Sequence, residues 1–264
     1  MPQIIPPVDP LREEKLAAFD RLLTIMDELR LNCPWDKKQT LESISHLTIE
    51  EVYELSDAII EGDIQEVKKE LGDIMLHLVF YARIASETNQ FHIGDVLNGI
   101  CNKMIQRHPH VYGETNVQDE EEVKKNWEQL KKKEGHKSVL GGVPKSLPAM
   151  VKAVRIQSKA RGAGFDWDDK SQVWEKVQEE LEEFKQAAEG PDKEKEFGDV
   201  LFSLINYSRF IGIDPEQALE KTNKKFTNRF NYLEKIAKSQ NKDLQEMSLE
   251  EMDKIWNEAK SDFP

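Results

Sequence analysis

Two acidic patterns each occur twice in this sequence. Glu50-Glu51-Val52-Tyr53-Glu54 is matched by Glu179-Glu180-Leu181-Glu182-Glu183, and Glu70-Leu71-Gly72-Asp73 by Glu196-Phe197-Gly198-Asp199. On a helix, positions three and four apart share a face. Glu51 with Glu54, Glu70 with Asp73, Glu180 with Glu183, and Glu196 with Asp199 therefore each present paired carboxylates. Two such helices lying antiparallel would bring four acids together, and like charges that close repel. A hard cation with oxygen preference relieves the repulsion; Mg²⁺ is the natural choice, with Mn²⁺ as its substitute. A lone Glu-x-x-Glu is ordinarily solvated surface. Here the acids run straight into apolar stretches, Ile74-Met75-Leu76 and Val200-Leu201-Phe202. Gly72 and Gly198 also sit inside helical patterns beside the same acid in both copies. Glycine there costs ~1 kcal/mol relative to alanine, which argues for close approach of backbone or ligand. A di-iron bundle would want Glu-x-x-His on two helices, and none of the six histidines stands three after a glutamate. His77, four after Asp73, reads as a core or supporting histidine, and His108-Pro109-His110 as a helix end. Hydrolytic Mg²⁺ chemistry is preferred over redox iron.

Cations follow the acids in the same order. Lys103 and Arg107, and again Lys225 and Arg229, are four apart and share a helix face. Behind two acid pairs they read as a phosphate clamp, arginine being suited to bidentate contacts. Trp256 offers an aromatic plane for a base, although it reads equally well as a packing anchor; Lys260 adds one more cation. The copies are unequal. Lys176 lies four before Glu180, whereas Leu47 holds the equivalent place before Glu51. The C-terminal copy is expected to do the chemistry, and the N-terminal set Glu51, Glu54, Glu70 and Asp73 to be weak or silent.

These residues need helices to position them, and helices are what the pattern supplies. Phe19, Leu22, Leu23, Met26 and Leu29 follow helical spacing, and Ile49, Val52, Tyr53, Ile59 and Ile60 continue it on a second segment. Ile74 to Ile84 and Val200 to Ile213 are apolar nearly all round and predict buried helices. Asp214-Pro215-Glu216 reads as a helix start. Strand signals are nearly absent. Five blocks recur in one order: the Trp35-Asp36 and Trp167-Asp168 pairs, the two acid patterns, Lys103 to Arg107 with Lys225 to Arg229, and Glu121 to Lys131 with Glu250 to Lys260, at offsets of 122 to 132. A linker is read at 131–148 from Lys131-Lys132-Lys133-Glu134-Gly135, Gly141-Gly142-Val143-Pro144 and Pro148. The reading is all-α: two tandem helical modules of four-helix-bundle type, at 11–130 and 149–264. The 264 residues carry a formal net charge of −13. That disfavours a nucleic-acid polymer, which needs a basic footprint, but not a nucleotide bound through metal. Cys33 and Cys101, with no CxxC, point to a reducing compartment. The first ten residues lack the basic and apolar regions of a signal peptide, and no apolar run approaches the ~20 residues of a membrane span. A soluble cytoplasmic protein is the expectation.

The motifs quoted resemble those of the MazG family of nucleoside triphosphate pyrophosphohydrolases: Glu-Glu-x-x-Glu, a spacer, then Glu-x-x-Asp. The likeness runs from Leu22 to Met26 through Cys33 to Asp36 and Arg107 to Val111 to Trp256, and is to the long bacterial form with tandem domains. It implies an all-α dimer that hydrolyses NTPs and dNTPs, with Mg²⁺, to monophosphate and pyrophosphate, through its C-terminal module. Nucleotide-pool house-cleaning or control is the implied role. Carried onto matching positions, Glu180, Glu183, Glu196 and Asp199 would hold metal, and Lys176, Lys225, Arg229 and Trp256 would contact nucleotide. The family can have lysine four before the first acid of the second pair; here that position is Asp192, with Lys193 and Lys195 flanking it as substitutes. Glu179 or Glu180 would steer the attacking water. The rival reading is a non-catalytic module for metal or nucleotide sensing and dimerisation.

Overall fold

The computed structural model of the chain describes residues 9–113, 115, 117, 119, 122, 123, 138–167 and 169–263. Glu121, Trp127, Asp168 and the linker run at 131–135 lie outside the described residues. The regular elements among those described are all helical, and none is long and apolar enough to cross a membrane. The chain divides into two compact units, Met1–Leu130 and Lys131–Pro264.

In the first unit α1 (Arg12–Asn32) leads through a 3₁₀ turn (Asp36–Lys38) to α2 (Ser45–Glu61), α3 (Ile64–Ser86), α4 (Ile93–Arg107) and the short α5 (Pro109–Tyr112). The turn between α2 and α3 is what brings the acids together. Gly62 ends α2 at φ 73°, a left-handed conformation that glycine adopts without steric penalty. Asp63 follows at once, its carboxylate accepting hydrogen bonds from the backbone N–H of Gln65 and Glu66 and starting α3. So short a connection makes α2 and α3 antiparallel neighbours. α1 packs on α3 as well. The core is Met26, Ile44, Val79 and Phe80, bordered by Phe19, Leu22, Leu23, Leu47, Leu76 and Tyr81. That is the apolar stripe read from α1 meeting the buried face of α3.

The second unit repeats the order with α6 (Ala149–Gly162), α7 (Lys170–Gln186), α8 (Pro191–Phe210), α9 (Pro215–Ser239), a 3₁₀ turn (Leu244–Glu246) and α10 (Leu249–Asp262). Asp169 caps α7 through the N–H groups of Ser171 and Gln172, and Asp214 caps α9 through Gln217 N–H, with Pro215 at its first position. α7 lies along α8, α6 packs on α8, and α9 pairs with α10 over Leu233, Ala237, Met247 and Ile255.

One expectation differs from the structure. The apolar helices α3 and α8 are buried along one side only. Met75 and Leu78 are 42% and 46% exposed, and Leu201, Phe202 and Leu204 are 40–44% exposed. A helix that is apolar all round needs cover on every side, and within each unit the neighbours cover one. Ile49, Val52 and Tyr53 on α2 extend this open apolar surface.

Replacing Ile44, which is 0% exposed, with alanine should cost about 2–5 kcal/mol and lower the urea midpoint. Leu16→Ala, at a position 60% exposed, should stay within about 0.5 kcal/mol. Equal shifts for the two variants would show the core to be elsewhere.

Candidate active site

Each antiparallel pair places acids from two helices against one another. In the first unit Glu51, Glu70 and Asp73 offer carboxylate oxygens within 4.8 Å of one another; in the second, Glu180, Glu183 and Glu196 do the same. Glu70 and Glu180 are only 2% and 8% exposed. Oε2 of Glu70 and Oε2 of Glu196 are buried without a hydrogen-bond partner among the described residues. A buried carboxylate oxygen in that condition is costly. All donors are hard oxygens, so the residues present fit a divalent cation of the Mg²⁺ class.

The electrostatics report the crowding. Burial, the hydrogen bond to Glu70, and the charges of Asp73, Glu54 and Glu70 push the Glu51 carboxyl above its usual value. Glu54, outside the closest trio, thus acts within the same field. In the second unit Lys195 reaches Glu196 at 2.9 Å and Asp199 at 3.9 Å. Its ammonium is raised by the hydrogen bond to Glu196 and by the charges of Glu196, Asp199 and Glu183. All three of those acids therefore face one cation. Lys176 lies 2.8 Å from both Glu179 and Glu180, which hold it protonated. Lys69, the repeat counterpart of Lys195, contacts Glu70 at 3.0 Å. The first unit has Leu47 where the second has Lys176.

The other cations named from the sequence are placed differently. Lys193 is held by Glu189 at 2.6 Å and lies over the Phe184 ring. Lys225, Arg229, Trp256 and Lys260 stand on α9 and α10. The Arg229 guanidinium is 5.9 Å from the Trp256 ring, and its Nε donates to the Phe263 carbonyl at 2.8 Å. Trp256 packs on Phe226 at 4.9 Å, and Lys260 donates to Asn257. Among the described contacts none joins this group to the acids.

Beside the second acid cluster lies a cavity of about 370 Å³ between α6, α7 and α8, walled by Lys176, Glu180 and Asp199 at the acids and by Phe165, Trp167, Gln157 and Asn206 beyond them. Sequence reasoning missed Gln157, Asn206 and Arg209, and took Trp167 only as a repeat marker. Arg209 donates to both oxygens of Asp166, at 2.9 and 2.5 Å, and to Asn206 Oδ1 at 2.9 Å. This fork ties the segment bearing Trp167 to α8. Asn206, a polar residue within a largely apolar stretch and seven positions after Asp199, is the signal the sequence holds. A shallower hollow of about 440 Å³ opens on Lys176, Glu179, Gln172 and Trp167.

Burial pushes the Asp166 carboxyl up, but its bonds to Arg209 and the Arg209 charge outweigh that and hold it below the usual value. A depressed carboxylate contributes stability above its unfolded pKa and loses it as pH falls through the folded one. Arg209→Met should therefore destabilise the chain at pH 7 by about 1–3 kcal/mol. The gap to the unaltered chain should narrow in urea titrations as pH drops below ~4. A gap that holds constant with pH would remove Asp166 as its source.

Residues 39–112 match the MazG nucleotide pyrophosphohydrolase domain. The chain is 43% identical over 247 residues to the nucleoside triphosphate pyrophosphohydrolase/pyrophosphatase MazG of Thermotoga maritima, covering 92% of this chain and 95% of that one. It is 40% identical over 254 residues to the nucleoside triphosphate pyrophosphohydrolase of Escherichia coli K12, covering 92% and 97%. The YabN protein of Bacillus subtilis is 48% identical over 264 residues, 96% of this chain and 54% of its own length. With near full-length likeness on both sides and the acid pairs brought together in each unit, the chain belongs to the MazG family of nucleoside triphosphate pyrophosphohydrolases.

Proposed function

We propose that this protein hydrolyses NTPs and dNTPs to nucleoside monophosphate and pyrophosphate, in nucleotide-pool house-cleaning or control. The observation that carries the reading is the acid cluster on α7 and α8, with its buried, unpartnered Glu196 Oε2 and the cavity beside it. The catalytic module is 149–264, preceded by the linker 131–148 and by the module at 11–130.

Glu180, Glu183, Glu196 and Asp199 would hold Mg²⁺, or Mn²⁺ in its place. Such an ion, when bound, offsets phosphate charge and makes a water more acidic. Glu179 is exposed and Glu180 is buried in the cavity wall, both beside Lys176, and either would accept a proton from the attacking water. Lys176 and Lys195 neutralise the acids; a bound cation would take over that part and would leave both ammonium groups to the triphosphate and the departing pyrophosphate. Hydrolysis between the α and β phosphates puts the reacting bond next to the nucleoside. A cavity that begins at the acids and runs inward suits that geometry.

The first unit supports a quieter role. It lacks a lysine at Leu47. Phe80, 2% exposed, fills the position that Asn206 holds on α8. A metal-binding or dimerising module without turnover fits those features. The open apolar faces of α2, α3 and α8 support a homodimer, in which a partner could bring Lys225, Arg229, Trp256 and Lys260 to the acids.

Incubating the full chain with dNTPs and Mg²⁺ should yield pyrophosphate and no orthophosphate, and chelation should stop release. Glu180→Gln should lower the rate by about a hundredfold or more, and Glu51→Gln by no more than about threefold. Equal losses would refute the asymmetry, and orthophosphate would mean a different phosphohydrolase.

A further inference from the structure

The two acid clusters carry the same acids but not the same compensation. In the second unit Lys176 lies 2.8 Å from Glu180, and Lys195 lies 2.9 Å from Glu196 and 3.9 Å from Asp199. Two ammonium groups thus stand against that cluster. In the first unit Leu47 takes the place of Lys176, and Lys69 that of Lys195. The Lys69 ammonium is shared between Glu70, at 3.0 Å, and Glu66, at 3.1 Å, which lies outside the cluster. Among the described residues Glu51, Glu54 and Asp73 stand in no ion pair. Glu70 is 2% exposed, and its Oε2 has no hydrogen-bond partner among the described residues. The first trio is also better shielded: Glu51 and Asp73 are half-buried, whereas Glu183 of the second trio is exposed. A charge shielded from water acts more strongly on its neighbours.

We infer that the first unit holds a resident divalent cation, bound without nucleotide and more tightly than any ion at the second unit's acids in that state. The inference rests on the reading of the acid clusters as divalent-ion sites, and goes beyond it by ranking them. An ion reaching Glu180, Glu183, Glu196 and Asp199 meets two ammonium groups already placed there, and a triphosphate supplies the negative charge that offsets them. An ion reaching Glu51, Glu70 and Asp73 meets one, already shared with Glu66, and finds a buried oxygen in need of a partner. It would tie α2 to α3 across their seam and needs no phosphate to complete the charge balance. The acids of the first unit thus serve as a brace.

The test is titration of the full chain with Mn²⁺ alone, the free ion being read from its paramagnetic resonance signal. At about pH 7.5 a histidine such as His77, one turn beyond Asp73, is uncharged at its ordinary value. Two classes of site are expected, the tighter by about tenfold, because one fewer ammonium opposes the ion there. Glu70→Gln, and Asp73→Asn at a less buried position, should each remove the tight class, and Glu196→Gln should leave it. Lys176→Leu gives the second unit the residue that the first one has, and should tighten the weaker class about fivefold, with the fold checked by its melting curve. Sites of equal affinity would overturn the inference, as would a tight class that disappears in Glu196→Gln or a weaker class unmoved by Lys176→Leu. Absence of pyrophosphate release from dNTPs, with both classes intact, would sink the hydrolytic reading and leave this one standing.

Discussion

The constraint on which the structure turns is the repulsion among carboxylates held close together at a helix–helix seam. Two unit charges at 4 Å interact by about 1 kcal/mol in water and about 4 kcal/mol near a protein surface. Three oxygens within 4.8 Å, drawn from helices that apolar packing forces together, cannot relax by moving apart. The raised Glu51 carboxyl and the strongly held protons of Lys176 and Lys195 are two responses to one problem. In the first the acid takes up a proton more readily; in the second a neighbouring lysine supplies the positive charge. A divalent cation would be a third response, and it would free the lysines for another anion. Acid and base are thus stored beside each other in the same seam.

Packing sets where this tension is placed. The Gly62 and Asp63 turn reverses the chain within two residues, and Gly190 followed by Pro191 opens α8 in the second unit. Both pairs of long helices then run side by side along their acidic and apolar residues. The apolar parts of α3 and α8 are shared between the core of each unit and an open face. Contiguous exposed apolar surface of this kind marks an interaction site. It sits on the same helices as the acids.

The two units show how one helical plan can diverge. Both keep the acids and the lysine at positions 69 and 195. The first replaces Lys176 by Leu47 and Asn206 by Phe80, and closes the space with apolar side chains. The second keeps a cavity whose wall is held by the Arg209 to Asp166 fork. Each substitution is modest; together they exchange a recess with a few polar groups in its wall for packed apolar side chains.

The sequence by itself determined the all-helical class, the duplication, the acid pairs and the inequality between copies. Spacing on a helix and repetition are local properties, and the chain states them directly. It also named Trp256 and Arg229 as nucleotide contacts, though not that the guanidinium stands over the indole ring. Only the tertiary structure decided which oxygens meet within 4.8 Å, that α3 and α8 keep one face open, and that Gln157 and Asn206 share a cavity with Glu180. Those are properties of surfaces brought together from segments roughly sixteen to fifty residues apart. A glutamine in an amphipathic helix looks the same in sequence whether its oxygen meets solvent or a closed wall. The difference arises from which helix packs over it.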